Sequence, residues 1–267
     1  MKLPLKYNLR NLLERKGSTA MTAVGIGLTV AVLITAFALT TGLKSVFGST
    51  GHPLQLLVLR QGANAELTSQ VAEESYQIVR RLPGIATTAE GQPMVSPEGL
   101  TVVNLPSVDN PEGMNVTVRG LLPIGVAMRN PKVVAGQMLQ PGLRQIVVGS
   151  AIAKRYPSAQ IGKKLRFGRG WWTVVGVFSA GDSAANSEIW TDLNQLRGDF
   201  EVSGGSSSVL IRAKSAADVG VLKDVIDHDQ RLNAQAIGEK EYYASLTSGG
   251  LPLQILGFSV AIIMAVG

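Results

Sequence analysis

The longest apolar stretch of the chain begins at Gly17 and ends at Leu43. Its 27 residues contain no charged side chain. A helix rises about 1.5 Å per residue and the hydrocarbon core of a bilayer is about 30 Å thick, so roughly 20 residues are enough to cross it. The pattern therefore predicts a transmembrane helix over residues 17–43.

A second uncharged run covers residues 251–267. Its 17 residues fall just short of a full span, so we expect the start of a second, apparently truncated transmembrane helix in what would be the first part of a longer protein. Residues 44–250 then form one extracytoplasmic domain, and residues 1–16 precede the first span on the other side of the membrane.

Two strand-helix-strand patterns lie at the two ends of this domain and predict an α+β fold. The first comprises a strand over 54–59, a helix over 67–82 with Asn64 as N-cap, and a strand within 85–95. The second comprises a strand over 208–212, a helix opened by the capping box Ser215–Asp218, a strand over 231–237 and a further helix over 239–248. Together they predict a split ferredoxin-like lobe.

An inserted, mostly-β lobe is predicted at about residues 125–205. Further strands are expected at 100–104, 115–119 and 145–148, a short helix at 150–155, and a hairpin of 163–167 and 172–178 that turns at 168–170. Adjacent residues of a strand point to opposite faces, so one of Trp171 and Trp172 should lie in the core. The other is a possible partner contact, with plain packing as the alternative.

The positive charge of the chain is concentrated before the first span. The net charge is +6 and the sequence pI about 9.7. Residues 1–16 hold five Lys or Arg against Glu14, a surplus of +4. This local basicity excludes a nucleic-acid binder, and under the positive-inside rule it places the N-terminus in the cytoplasm.

Residues 2–16 have the pattern of a basic amphipathic helix, with leucines at Leu5, Leu9, Leu12 and Leu13 on one face. Such a helix lies on the membrane surface, and its candidate lipid-contacting cations are Lys6, Arg10, Arg15 and Lys16. An ordinary solvated helix is the alternative. A cleaved signal peptide ending near Ala36–Ala38 is a further alternative, although the apolar run is longer than a usual signal segment.

Within the first span, small residues recur at every fourth position. Ala23, Gly27 and Ala31 form a ridge that would let another helix approach closely. The alternative is that small residues are simply frequent in membrane helices.

Enzymatic signatures are missing from the sequence. It contains no cysteine, no Walker A pattern and no nucleophile motif. His52 lies in a Gly/Ser-rich linker and His228 at a predicted helix end, so neither indicates a metal site. We therefore expect no catalytic, cofactor-binding or metal-binding residue, and no enzymatic activity in this chain.

The order of several short motifs resembles the MacB/FtsX-type permease subunits of bacterial ABC transporters. These motifs are VVG at 147–149, AIAKR at 151–155, IGKKL at 161–165 and TVVGVF at 173–178, after an entry helix and span of the same type. The resemblance implies a subunit of the bacterial inner membrane with four spans and a periplasmic domain between the first two. Here the third and fourth spans and the ATPase-binding loop are missing from the sequence.

The resemblance also implies the partners. These are a separate cytoplasmic ATPase that binds ATP, a second permease copy in a homo- or heterodimer, the lipid bilayer, and a periplasmic adaptor. Mechanotransmission would then drive efflux, export or release of an envelope substrate. The alternative is a signal-anchored extracytoplasmic binding or scaffold module without transport activity.

Overall fold

The computed structural model describes residues 13–48, 50–200 and 204–246. Its first element is helix α1, Lys16–Gly48. Residues 16–42 of α1 have a mean hydropathy of 2.2 and are long and apolar enough to cross a membrane. The predicted amphipathic segment up to residue 12, with Lys6 and Arg10, and the predicted second span at 251–267 lie outside the described residues.

The threonines of α1 hide their hydroxyl groups inside the helix. Four of them donate to the carbonyl oxygen four residues earlier, at 2.7 to 3.0 Å: Thr22, Thr29, Thr35 and Thr40. A hydroxyl bonded in this way presents no unsatisfied polar group to lipid. These four threonines are therefore compatible with the hydrocarbon core of a membrane.

The domain of residues 46–244 is an α+β unit, as predicted. Its strands are β1 Gln55–Arg60, β2 Val71–Ala72, β3 Val95–Leu105, β4 Met114–Leu121, β5 Lys132–Gly136, β6 Gln145–Gly149, β7 Lys164–Phe167, β8 Gly170–Ser179, β9 Glu188–Asp192, β10 Gly205–Ser206, β11 Ser208–Arg212 and β12 Ala234–Gly238. Its helices are α2 Glu73–Val79, α3 Pro123–Arg129, α4 Ser150–Arg155, α5 Leu193–Phe200, α6 Ala216–His228 and α7 Glu239–Ser245.

The ferredoxin-like lobe is confirmed by the order of its strands. They run β12-β1-β11-β3, and every neighbouring pair is antiparallel. Numbered along the lobe this order is 4-1-3-2, with α2 and α6 as the two connecting helices. One face of the sheet packs on these helices through Val79, Leu222 and Ile226, and the other face packs on Met128, Tyr242 and Tyr243.

The second lobe continues the same sheet through β4, β9, β6, β8 and β5, and β7 pairs with the other end of β8. Strand β3 belongs to both lobes, because Val95–Glu98 pair with β11 whereas Gly99–Leu105 pair with β4. The second lobe therefore begins at about Gly99 of β3, earlier in the sequence than the predicted start near residue 125. One unbroken strand joins the two lobes.

Two predicted elements of the first repeat are wrong in extent. The helix expected over 67–82 is only Glu73–Val79, because residues 66–68 form a 3-10 turn that buries Glu66, and Val71 pairs with Ser206 of β10. The strand expected within 85–95 is reduced to isolated bridges, such as Ile85 with Ala213. The regular strand starts only at Val95 and absorbs the strand predicted at 100–104.

Candidate functional site

A single arginine occupies the interior of strand β4. The strand alternates buried and less buried residues up to Val118, after which Arg119 to Leu121 are all buried. Arg119 is only 1% exposed. A guanidinium in this position needs acceptors for five N–H groups, because it stays charged and its desolvation is otherwise prohibitive.

Three glutamates supply these acceptors. Arg119 binds Glu188 through Nε at 2.9 Å and through Nη2 at 2.8 Å. Its Nη1 donates to Glu66 at 2.8 Å and to Glu98 at 2.7 Å, and Nη2 also donates to Glu66 at 3.2 Å. Every donor of the guanidinium is therefore used inside the protein.

A second arginine extends this arrangement. Arg129, the last residue of α3, donates from Nε and Nη2 to the two oxygens of Glu98 at 2.9 and 2.7 Å. Its Nη1 lies 3.3 Å from Glu239, the first residue of α7. Glu98 thus bridges both arginines. We call these six residues the interlobe ion network: Arg119, Arg129, Glu66, Glu98, Glu188 and Glu239.

Neutral groups of the protein donate further hydrogen bonds to three of the four carboxylates. The bonds are from Ser208 Oγ to Glu66 at 2.7 Å, from Trp190 Nε1 to Glu188 at 2.8 Å, and from the backbone N–H of His52 to Glu239 at 2.9 Å. Buried carboxylates normally need such additional partners, since an ion pair alone rarely offsets the loss of hydration. The network is fully integrated into the surrounding fold.

Four carboxylates face two guanidiniums, which gives a formal charge of −2 when all six groups are ionised. Burial raises the pKa of Glu239 above its ordinary value despite the nearby charge of Arg129. Burial alone would also raise the pKa of Glu188, but the charge and hydrogen bonds of Arg119 outweigh it and hold that pKa below the ordinary value. The pKa values of the two carboxylates are therefore shifted in opposite directions, because burial dominates at Glu239 and Arg119 dominates at Glu188.

The network joins the two lobes. Glu66, Glu98 and Glu239 belong to the ferredoxin-like lobe, whereas Glu188 opens strand β9 of the second lobe. Separating the lobes at this point would leave buried charges without partners, which is strongly unfavourable. Together with the shared strand β3, the network ties the two lobes to each other.

The tryptophan pair of β8 points to opposite faces, as expected. Trp172 is fully buried, stacks on Phe167 at 5.0 Å and donates from Nε1 to the Phe167 carbonyl oxygen at 3.2 Å. Trp171 is 57% exposed, and the Arg166 guanidinium lies 5.9 Å from its ring centre. Trp172 is therefore unavailable to a partner, and Trp171 stays the candidate contact.

The candidate residues of the first span are described but not brought together with any site. Ala23, Gly27 and Ala31 are exposed along α1, and a Cβ placed on Gly27 would meet nothing within 4 Å. Arg15 and Lys16 are exposed at the start of the helix. Helix packing and lipid contact at these positions stay predictions.

Sequence reasoning missed the interlobe ion network. The available signal was an isolated charge inside an apolar strand pattern, as for Arg119 in NVTVRGLL and Glu188 directly before IWT. Lys, Arg, Asp and Glu are rarely fully buried unless paired, so a charge at such a position predicts a buried partner. The sequence alone does not say which residue that partner is.

Comparison with known proteins agrees with this architecture. A family model described as the MacB-like periplasmic core domain matches residues 19–228. The sequence has no match among curated proteins.

Two solved structures share the fold. The extracellular domain of the noncanonic ABC-type transporter YknZ from Gram-positive bacteria is 16% identical, with a TM-score of 0.50, over 68% of this chain and 99% of that chain. The periplasmic region of MacB from Actinobacillus actinomycetemcomitans is 10% identical, with a TM-score of 0.51, over 72% of this chain and 92% of that chain.

Proposed function

The chain belongs to the family of the MacB-like periplasmic core domain, and on this premise we propose that it is a permease subunit that transmits the work of a separate ATPase to a domain outside the bilayer. In this proposal the ATPase binds ATP in the cytoplasm, and two permease copies form the membrane part. The moving domains then export or release an envelope substrate, with a periplasmic adaptor as a further partner.

The orientation follows from the basic residues before the span. Lys6, Arg10, Arg15 and Lys16 favour a cytoplasmic N-terminus under the positive-inside rule. A chain that enters α1 from the cytoplasm leaves it on the periplasmic side, in an inner membrane. The family to which the chain belongs, a periplasmic core domain, is consistent with this direction.

The observation that carries the proposal is the interlobe ion network. A domain that transmits force must move as a unit, and here Arg119 ties the two lobes through contacts of 2.7 to 3.2 Å in the interior. The chain also leads directly from α1 into this unit. Thr50 accepts a hydrogen bond from the backbone of Ala184, and the N–H of His52 donates to Glu239. Thr50 and His52, which follow α1 in the chain, thus contact the second lobe and the ferredoxin-like lobe respectively.

The experiment is association with an ATPase. We expect the protein, purified in detergent with the ATPase encoded beside it, to form a stable complex whose ATP hydrolysis exceeds that of the ATPase alone. Because the chain contains no cysteine, a Lys163→Cys variant can carry a spin label on the exposed start of the β7 hairpin. ATP should then change the label-to-label distance between two copies. The proposal is refuted if the protein does not associate with the ATPase and does not stimulate its ATP hydrolysis.

A further inference from the structure

A cavity of about 430 Å³ lies beside the interlobe ion network. The ferredoxin-like lobe contributes His52, Gln55 and Arg212 to its wall, and the second lobe contributes Ser183 and Trp190. This volume falls within the roughly 300 to 1,000 Å³ that is usual for small-molecule sites. The cavity is therefore large enough for a ligand and not only for a few water molecules.

Arg212, the last residue of β11, has more donors than partners. Its Nη2 donates to the carbonyl oxygen of Met128 at 3.0 Å. Its Nε is buried and has no hydrogen-bond partner among the described residues. Among the residues that the structure describes, no carboxylate lies at ion-pair distance from the Arg212 guanidinium. A buried donor without a partner is unfavourable, so this guanidinium calls for an acceptor.

The acidic group in the cavity wall does not supply that acceptor. Both oxygens of Glu239 are engaged, one by Arg129 at 3.3 Å and the other by the backbone N–H of His52 at 2.9 Å. The charge of Arg212 is thus not balanced by Glu239. The cavity wall therefore holds two guanidiniums, those of Arg129 and Arg212, against the single carboxylate of Glu239.

The remaining polar groups of the wall favour donors. The pKa of the His52 imidazole is held below its ordinary value by burial and by the charges of Arg212 and Lys240, so the ring is neutral at pH 7. Its Nδ1 accepts a hydrogen bond from the Leu54 N–H at 3.1 Å, which places the ring proton on Nε2. Ser183 Oγ accepts from the backbone of Ala185 at 3.2 Å, and its own hydroxyl proton is available to donate.

We propose that this cavity binds an organic phosphate, with the guanidinium of Arg212 holding the phosphate oxygens and the Ser183 hydroxyl donating a further hydrogen bond. The planar fork of arginine matches two oxygens of a phosphate group. At about 30 Å³ per water molecule the cavity holds on the order of a dozen waters, so a polar substituent fits beside the phosphate. The phosphate ester belongs either to a soluble metabolite or to a lipid headgroup.

The test measures binding on the protein alone, so it does not depend on the proposed ATPase. The full chain in detergent is titrated calorimetrically with glycerol 3-phosphate and with inorganic phosphate. We expect saturable binding of glycerol 3-phosphate that Arg212→Gln weakens at least tenfold. Arg60→Gln removes an exposed cation from β1, outside this cavity, and should bind as the unmodified protein does.

Two further arms complete the experiment. Phosphatidylglycerol in the micelles should raise the apparent Kd for glycerol 3-phosphate if the natural occupant is a headgroup, and should leave it unchanged if the occupant is soluble. Ala127→Leu narrows the cavity without removing a donor and should also weaken binding, which keeps the test decisive if Arg212→Gln does not fold. No saturable binding, or unchanged affinity in a folded Arg212→Gln or Ala127→Leu variant, would overturn the proposal.

Discussion

Arg119 and Glu188 meet side by side in the protein interior, with Nε to Oε2 at 2.9 Å and Nη2 to Oε1 at 2.8 Å. These two residues are 69 positions apart in the sequence and belong to neighbouring parallel strands. Two parallel hydrogen bonds of this kind fix orientation as well as distance. The contact fixes the Arg119 guanidinium within the second lobe, and from this position Nη1 reaches Glu66 and Glu98 of the ferredoxin-like lobe.

Removal of Arg119 should therefore destabilise the whole domain. Arg119→Gln leaves Glu66, Glu98 and Glu188 buried with too little positive charge, and loss of one partner of a buried pair costs about 3–5 kcal/mol. Urea unfolding followed by circular dichroism measures this change. Arg231→Gln is the matched control, because it breaks an exposed pair with Asp229 and should hardly move the midpoint. Equal midpoints for both variants would contradict the role of the network.

Two glutamates of the network should respond to pH in opposite directions. The lowered pKa of Glu188, set by Arg119 against the effect of burial, adds stability that is present above the ordinary value of 4.5 and is lost as the pH falls through the folded-state pKa. The pKa of Glu239 is raised by burial, so its ionised form lowers the stability of the fold at neutral pH. This loss is removed as the pH falls towards 4.5 and the carboxylate takes up its proton.

The corresponding measurement compares free energies of unfolding from about pH 3 to about pH 7, the range in which Glu188 and Glu239 are expected to titrate. Relative to Glu188→Gln, the unmodified protein should lose stability below pH 4.5. Relative to Glu239→Gln, it should gain stability as the pH falls from 7 towards 4.5. Differences of the same sign for both variants would show that the two environments are misassigned.

The two tryptophans of β8 should separate stability from binding. Trp172→Ala removes a fully buried ring and its stack on Phe167, which should cost about 3–5 kcal/mol. Trp171→Ala removes a mostly exposed ring and should leave the unfolding midpoint nearly unchanged while weakening the proposed adaptor contact. Fluorescence on addition of the adaptor reports the contact. No change in the emission of the unmodified protein would exclude it.

Two glycines offer a matched test of packing. A Cβ on Gly149, the last residue of β6, would clash with the carbonyl oxygen of Asn186, whose backbone cannot easily move away. Gly149→Ala should therefore cost about 1–3 kcal/mol. Gly198 in α5 has nothing within 4 Å of such a Cβ, so Gly198→Ala should stabilise the protein by about 0.5–1 kcal/mol. Thermal unfolding distinguishes the two signs.

The small-residue ridge of α1 should matter for coupling and not for folding of the domain. Leucine at Gly27 and Ala31 would fill the ridge and keep a second helix at a distance. In the complex with the ATPase, this double variant should still hydrolyse ATP but lose the ATP-dependent distance change at Lys163→Cys. Val24→Leu, one position beside the ridge, is the control and should behave normally. An unchanged distance response in the double variant would make α1 a passive tether.

Local physics explains what the sequence determined by itself. The uncharged run at 17–43 indicates a span because an exposed helix of this composition has no favourable place in water, and α1 is such a helix. The opposite faces of Trp171 and Trp172 follow from the two-residue period of a strand. The capping of α6 by Ser215, which accepts from the Asp218 N–H, follows from four neighbouring residues.

Only the tertiary structure decided which distant residues meet. The helix expected over 67–82 begins at Glu73, because the turn before it delivers Glu66 to Arg119, 53 residues away. Likewise β3 serves two lobes, because its first half pairs with β11 and its second half with β4. Hydrophobic periodicity indicates which face of a segment is buried, but it does not indicate which other segment packs against that face. The interlobe ion network therefore exists only where the folded strands bring its six residues together.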